Sequence, residues 1–398
     1  MKERNLPLSA PRSLALAIAP LAIAETLFWA AYYYSFPGLL PAWEADLGWS
    51  RSEIAGAFTA ALILTGVLAP QAGRLIDRGL AKTTFVGAGI AGAALLIALS
   101  MVQELWQFWA IWLCLGVINA ACLYEACFAI ITVTVGAQAK KAITVTTLYA
   151  GFAGTISFPS AYALTEWMGW RGAVITAGAL MLAVAIPLAL LGFRWIEAHR
   201  APAAETPQGT GGEGRAALRN PVFWYIAIAF STIGIVHGMI ISHIRPILDD
   251  RDVATALAVF IASMFGPMQV LGRVLMVTLG KGLSTIFQGI LCFCGIAGGL
   301  ALLYLARMEP WLALVFVVPY GASYGVVSIV RPVLTAEYLG RAGFGVISGM
   351  LGAPYMLGFA AGPTLAALIW GAAGYDVVIM FGFVLTLTGL GLTLLARQ

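Results

Sequence analysis

Apolar residues in this chain neither alternate nor recur along a single face. They run in long, almost unbroken blocks near residues 14–41, 51–73, 82–101, 105–135, 142–165, 172–194, 221–244, 253–277, 283–306, 310–336, 343–370 and 376–395. A helix needs roughly 20 apolar residues to cross ~30 Å of hydrocarbon, and each block is about that long or longer. The period-two alternation of a transmembrane barrel is absent. The pattern therefore predicts an all-α membrane protein with twelve transmembrane helices.

The longest polar stretch is EAHRAPAAETPQGTGGEGRAALRN, residues 197–220, between the sixth and seventh blocks. Its Gly, Pro, Ala and charge predict a flexible cytoplasmic linker rather than a domain. It divides the chain into an N-terminal six-helix half, 1–196, and a C-terminal six-helix half, 221–398. The halves echo each other. In GFAGTISFPSAYAL, Gly154 precedes Pro159 by five residues, and in LGFAAGPTLAAL, Gly358 precedes Pro363 by five. A short turn follows each, WMGWRGAV and GAAGYDVV. Internal repeats of this kind mark many transporter folds.

Composition agrees: of 398 residues, 61% are hydrophobic and 10% charged, where a soluble domain carries about 25% charged. The start, MKERNLPLSAPRS, is polar and basic, but the apolar run after it is too long for a signal core, so the first block is expected to remain as a helix. With the N-terminus placed in the cytoplasm, the only Lys or Arg on the outer side are Arg51, Arg171, Arg245, Arg251 and Arg307, out of 22. That bias predicts both termini inside. It also accounts for the net charge of +4 without any nucleic-acid partner. The five cysteines all fall inside apolar blocks, an odd number with no ligand spacing, so neither a disulfide framework nor a metal site is expected. No paired-acid motif, His cluster, nucleophile with a base, or phosphate-binding loop is present, which argues against an embedded enzyme and against direct use of ATP. No cofactor is expected.

Ionisable groups inside a membrane helix face a cavity or a partner by default. Glu25, in LAIAETLFWAAYYYSFPG, lies about 16 Å into the first block at 1.5 Å per residue, near the bilayer midplane. It reads either as a proton-coupling or substrate-contacting group or as a structural hydrogen-bonding one. Glu125 and Arg331 occupy corresponding depths in the two halves and are opposite in charge, which suits an inner gate or, equally, local pairing. His237 is a candidate titrating group whose alternative is packing. Tyr32, Tyr33, Tyr34, Tyr124, Tyr149, Tyr320, Tyr324 and Tyr355 suit an organic substrate with polar and apolar parts.

The loop GRLIDRGLAK, Gly73 to Lys82, resembles the G-x-x-x-D-R-x-G signature of the major facilitator superfamily. The resemblance implies two six-helix halves around a central cavity lined by helices 1, 4, 7 and 10, with Gly73, Asp77 and Arg78 in gating. After the eighth block, GRVLMVTLGKG keeps Gly272 and Arg273 but lacks the Asp. SFPGLLPAWEADLGWSRSEIAGAF and HIRPILDDRDVATALAVFIASMFGPMQVLGR are similar to the monocarboxylate porter and oxalate/formate antiporter branch. That likeness implies that Arg273 holds a substrate carboxylate; the alternative is a motif-like arginine at the cytoplasmic end of its helix, gating the second half. Gln269 stands where the branch usually has a proton-sharing Asp, and Gly38 where it has a Lys. The expectation is a secondary transporter moving a small organic anion, a monocarboxylate, by proton coupling or exchange. The alternative is a proton-driven efflux carrier for a larger amphipathic compound. The expected partners are the substrate, protons or a counter-substrate, and the lipid of a bacterial inner membrane, with the protein a monomer.

Overall fold

The computed structural model describes residues 13–201 and 212–396, all of them in helices, turns or short connections with no strand. Lys2, Arg4, Arg12 and Arg397 of the charge count, and residues 202–211 of the linker, lie outside the described residues. The helical runs reproduce the twelve blocks. The first crossing is α1 (Leu14–Trp29), a π turn (Ala30–Tyr34) and α2 (Ser35–Leu47). The second and third are α3 (Arg51–Leu75) and α4 (Ala81–Leu99), and the fourth is split into α5 (Leu105–Cys122) and α6 (Tyr124–Val135). The fifth and sixth are α7 (Ala139–Ala150), α8 (Ala153–Leu180) and α9 (Ile186–Glu197). Then come the short α10 (Glu213–Arg219), α11 (Pro221–Asp249), α12 (Thr255–Thr278), α13 (Thr285–Leu305), α14 (Leu312–Tyr338) and α15 (Phe344–Leu395).

Two of these helices each hold two crossings. α8 reverses at Gly169 (φ 73°, ψ 166°) and α15 at Gly374 (φ 80°, ψ 177°). Both lie in a backbone region open to glycine and costly for other residues. These are the two short turns expected after the fifth and eleventh blocks.

The chain forms two compact units, Met1–Gly214 with Gly340–Met350, and Arg215–Leu339 with Leu351–Gln398. Small residues set the helix spacing in both. In the first, Gly116 packs on the Ala61 backbone, and the Thr65 hydroxyl donates to the Gly116 carbonyl at 2.9 Å. In the second, Gly325 of α14 packs on the backbone of Gln269 in α12. Without a hydrophobic driving force between helices in lipid, such close backbone approach supplies the packing.

Each unit is fastened at one end by a salt bridge. In the first, Asp46 Oδ2 accepts from Trp170 Nε1 at 2.7 Å and from Arg171 Nη1 at 2.5 Å. In the second, Arg251 Nη2 donates to Asp376 Oδ1 at 2.5 Å, and Arg307 also pairs with Asp376. Asp46 and Arg251 are 205 positions apart, and so are Arg171 and Asp376, as are Gly169 and Gly374. The same fastening thus occurs twice in one register, with its charges exchanged.

Candidate functional site: a buried carboxyl and a ring file

In the first unit the side chain of Glu25 is fully buried. Trp29, one turn on, donates its indole N–H to Glu25 Oε1 at 3.0 Å, while Oε2 is buried with no hydrogen bond. Cys127 and Cys122, on either side of the break between α5 and α6, are the neighbouring thiols. The Trp29 ring lies 4.6 Å from Tyr124 and 5.0 Å from Tyr33, and Tyr124 stacks on Phe128 at 4.8 Å. Tyr33 and Tyr34 are half-buried, and Tyr34 meets Phe158 at 6.0 Å.

The π turn decides where the three consecutive tyrosines go. Pro37 has no N–H to return to the Tyr33 carbonyl, so the regular ladder cannot run through this point. Side chains take up neighbouring carbonyls instead. Ser157 donates to Ala30 O at 2.8 Å, Ser35 to Ala31 O at 2.5 Å and Asn119 to Tyr32 O at 3.5 Å. Tyr32 turns inward, fully buried, with its hydroxyl on Gly89 O at 2.6 Å. Tyr33 and Tyr34 are left beside Trp29. Tyr149, on α7, is exposed.

The fourth crossing breaks at Leu123, which is extended (φ −94°, ψ −167°). Glu125 therefore sits in the first turn of a new helix, where the positive end of the macrodipole favours a carboxylate. Its Oε2 accepts from Ser348 Oγ at 3.1 Å. No proline or glycine marks the break in NAACLYEACF, so the sequence carries no signal for it.

At the other end of this unit, Asp77 caps the start of α15. Its Oδ1 accepts from Gly345 N and its Oδ2 from Val346 N, both at 2.9 Å. Gly73, one turn earlier, lies against the Gly345 backbone, where a Cβ would collide. The last glycine of the signature falls at Gly79, one position early, and takes φ 85°; Arg78 is exposed. Asp77 lies in the connection outside the spanning segments. Burial pushes its carboxyl up, more than the two amide donors pull it down, and the charge of Glu213 adds to the rise.

The second unit holds a file of rings. His237 stacks on Tyr324 with centroids 3.4 Å apart, and lies 6.0 Å from Tyr320 and 5.9 Å from Phe359. Tyr320 Oη is 3.4 Å from His237 Nδ1, and the Tyr324 and Tyr355 hydroxyls share a hydrogen bond of 2.8 Å. The buried Arg331 guanidinium lies 4.8 Å above the Tyr355 ring. His237, Tyr320, Tyr324, Tyr355 and Arg331 are thus brought together. Phe359 joins them unforeseen, although it stands one helical turn after Tyr355. Arg273 is buried where α12 meets α14 and donates from Nε to Gly325 O at 2.9 Å. Gln269, one turn before it, is half-buried.

Among the described residues no group of three or more His, Cys, Asp or Glu could hold a metal. The chemistry on offer is a buried carboxyl, buried cations, and ring faces with hydroxyls.

The model of the Major Facilitator Superfamily matches residues 21–363, and the chain belongs to that family. It is a membrane transporter with the fold the signature implied. No curated protein sequence matches it. The solved structures that resemble it include the proton:xylose symporter XylE bound to 6-bromo-6-deoxy-D-glucose, with a TM-score of 0.74 and 12% identity, covering 96% of this chain and 94% of that one. A variant of the E. coli fucose:proton symporter FucP gives a TM-score of 0.73 at 13% identity, covering 97% and 100%. The human organic anion transporter MFSD10 (TETRAN) gives 0.69 at 14% identity, covering 95% and 97%. At these identities the likeness is one of fold.

Proposed function

We propose that this protein is a secondary transporter that moves a small organic anion carrying one carboxylate, by proton coupling or exchange, through alternating access. The observation that carries the reading is Glu25, a wholly buried carboxyl with one oxygen unpartnered beside a cluster of aromatic side chains. A carboxyl in that setting is disfavoured as an isolated anion and is suited to holding a proton. Arg273 and Arg331 supply the cations for the substrate, a guanidinium being a planar fork matched to a carboxylate. Glu125 and Arg331, with Gly73, Asp77 and Arg78, form the gating set. The resemblance to the monocarboxylate porter branch supports a single carboxylate, and similarity in fold to an organic anion transporter and to two proton symporters is consistent with both halves of the reading.

The test uses purified protein in liposomes with an imposed pH gradient, with internal pH recorded while small mono- and dicarboxylates are offered. One monocarboxylate is expected to move protons in wild type. Glu25→Gln is expected to abolish that movement, and Arg273→Ala to abolish uptake, both variants first being checked for a normal melting transition. The aromatic surroundings of Glu25 favour one competitor, proton-driven efflux of a larger amphipathic compound. Transport that survives Arg273→Ala and prefers such compounds would replace the anion reading with that one.

A further inference from the structure

In the second unit, α11 contributes His237, α14 contributes Tyr320 and Tyr324 one turn apart, and α15 contributes Tyr355 and Phe359 one turn apart. Three of these rings lie close to parallel with His237. His237 is inclined by 15° to Tyr324, 21° to Tyr320 and 26° to Phe359. Other buried ring pairs in this unit meet at steeper angles, as Phe265 does with Tyr320 at 79° and Phe316 with Tyr320 at 58°. Tyr320 is sealed in the core, but Tyr324, Tyr355 and Phe359 remain half-buried, so the file continues to a partly open face.

One end of this file is polar. Arg331 stands two turns after Tyr324 on α14, and its guanidinium lies over the Tyr355 ring, whose hydroxyl is bonded to that of Tyr324. A carboxylate arriving there meets a planar cation and phenolic donors. The body attached to it meets ring faces. A planar aromatic body extends the stack in offset geometry, which an alkyl body of the same size cannot do. A one- or two-carbon anion would reach the polar end and leave the rings unused. A second carboxylate on the same molecule would be pushed against the negative faces of the rings.

We propose that the transported anion is an aryl monocarboxylate, with its carboxylate at Arg331 and the Tyr324–Tyr355 hydroxyl pair and its ring on the His237–Tyr324–Phe359 file. The proposal rests on the anion-transport reading above and names the substrate class within it.

The probes are benzoate, cyclohexanecarboxylate (same charge and nearly the same size, but not planar) and acetate. Binding to the purified full-length protein is followed by calorimetric titration, and counterflow is measured in liposomes against empty-liposome controls. Benzoate is expected to bind about 10-fold more tightly than cyclohexanecarboxylate, the equivalent of one stacking contact. Tyr324→Leu is expected to reduce that ratio to below about 3-fold, whereas Tyr324→Phe, which keeps the ring, retains it. The wild-type ratio does not depend on either variant folding. Equal binding of benzoate and cyclohexanecarboxylate overturns the aryl assignment. Transport of acetate without benzoate overturns it too but leaves the anion reading standing. If none of the three binds or exchanges, both fail together.

Discussion

At the scale of single residues, Glu25 was visible in the sequence because a lone acid in an apolar block is expensive. Trp29 was visible only as its neighbour one turn on. What spacing alone did not disclose is the asymmetry of the carboxyl, one oxygen bonded and the other bare. That asymmetry predicts two different outcomes. Glu25→Gln keeps an oxygen for the indole and is expected to retain substrate counterflow while losing proton-driven accumulation down to the level of empty liposomes. Trp29→Phe removes the indole donor from a buried carboxyl, and is expected to destabilise the protein by about 1–3 kcal/mol, read as a lowered melting temperature in detergent. The three tyrosines were legible as a group and not individually. Which of them lines a surface and which enters the core follows from the π turn, set in part by Pro37 and by donors from Ser157 and Asn119 on other helices.

At the scale of elements, lengths and order were readable because lipid imposes them. The break at Leu123 was not, since its cause is tertiary: residues around it are neither Pro nor Gly, and Glu125 gains a partner, Ser348, from a segment more than two hundred residues away. The signature loop was readable as a motif, and its partner was not. Asp77→Ala removes both acceptors at the start of α15. The expected cost is about 1–2 kcal/mol, the usual loss of an N-terminal cap, and faster hydrogen exchange at Gly345 and Val346 checks it. Gly73→Val is expected to disturb the same amides through a steric clash, with Asp77 still in place.

The Asp46–Arg171 fastening of the first unit gives a pH dependence. The indole N–H of Trp170, and then Arg171, hold the Asp46 carboxyl below the usual carboxylate range, so folding favours its anion. The stabilisation is complete above the unfolded value of about 3.9 and fades as pH falls through the lower folded value. Both partners are about half exposed, at 44% and 48%, so the pair is worth under about 1 kcal/mol. Asp46→Asn is therefore expected to melt slightly below wild type at pH 6, with the gap closing as the pH is taken down from about 3.9.

For the whole molecule, the family was legible from one loop and a count of apolar blocks, whereas the substrate is not written in any contiguous motif. Its candidate contacts come from helices far apart in sequence, such as His237, Arg331 and Phe359. Orientation has a direct check. If the Lys and Arg bias sets both termini inside, alkaline phosphatase fused after Glu104 is active and the same enzyme fused to the C-terminus inactive.

The exchanged charges of the two fastenings bear on ancestry. If the halves descend from one duplicated gene, Asp46 with Arg171 and Arg251 with Asp376 began as the same pair. Reversing a pair one codon at a time passes through a step with two like charges opposed, unless a neutral residue or a neighbouring ion such as Asp250 or Arg307 covers it. Both of those neighbours are present in the second unit, which makes it the half where the reversal could be tolerated. A consequence for engineering follows: grafting the Asp46 end of α2 onto the second half would set an aspartate against Asp376, so the two halves are no longer interchangeable parts.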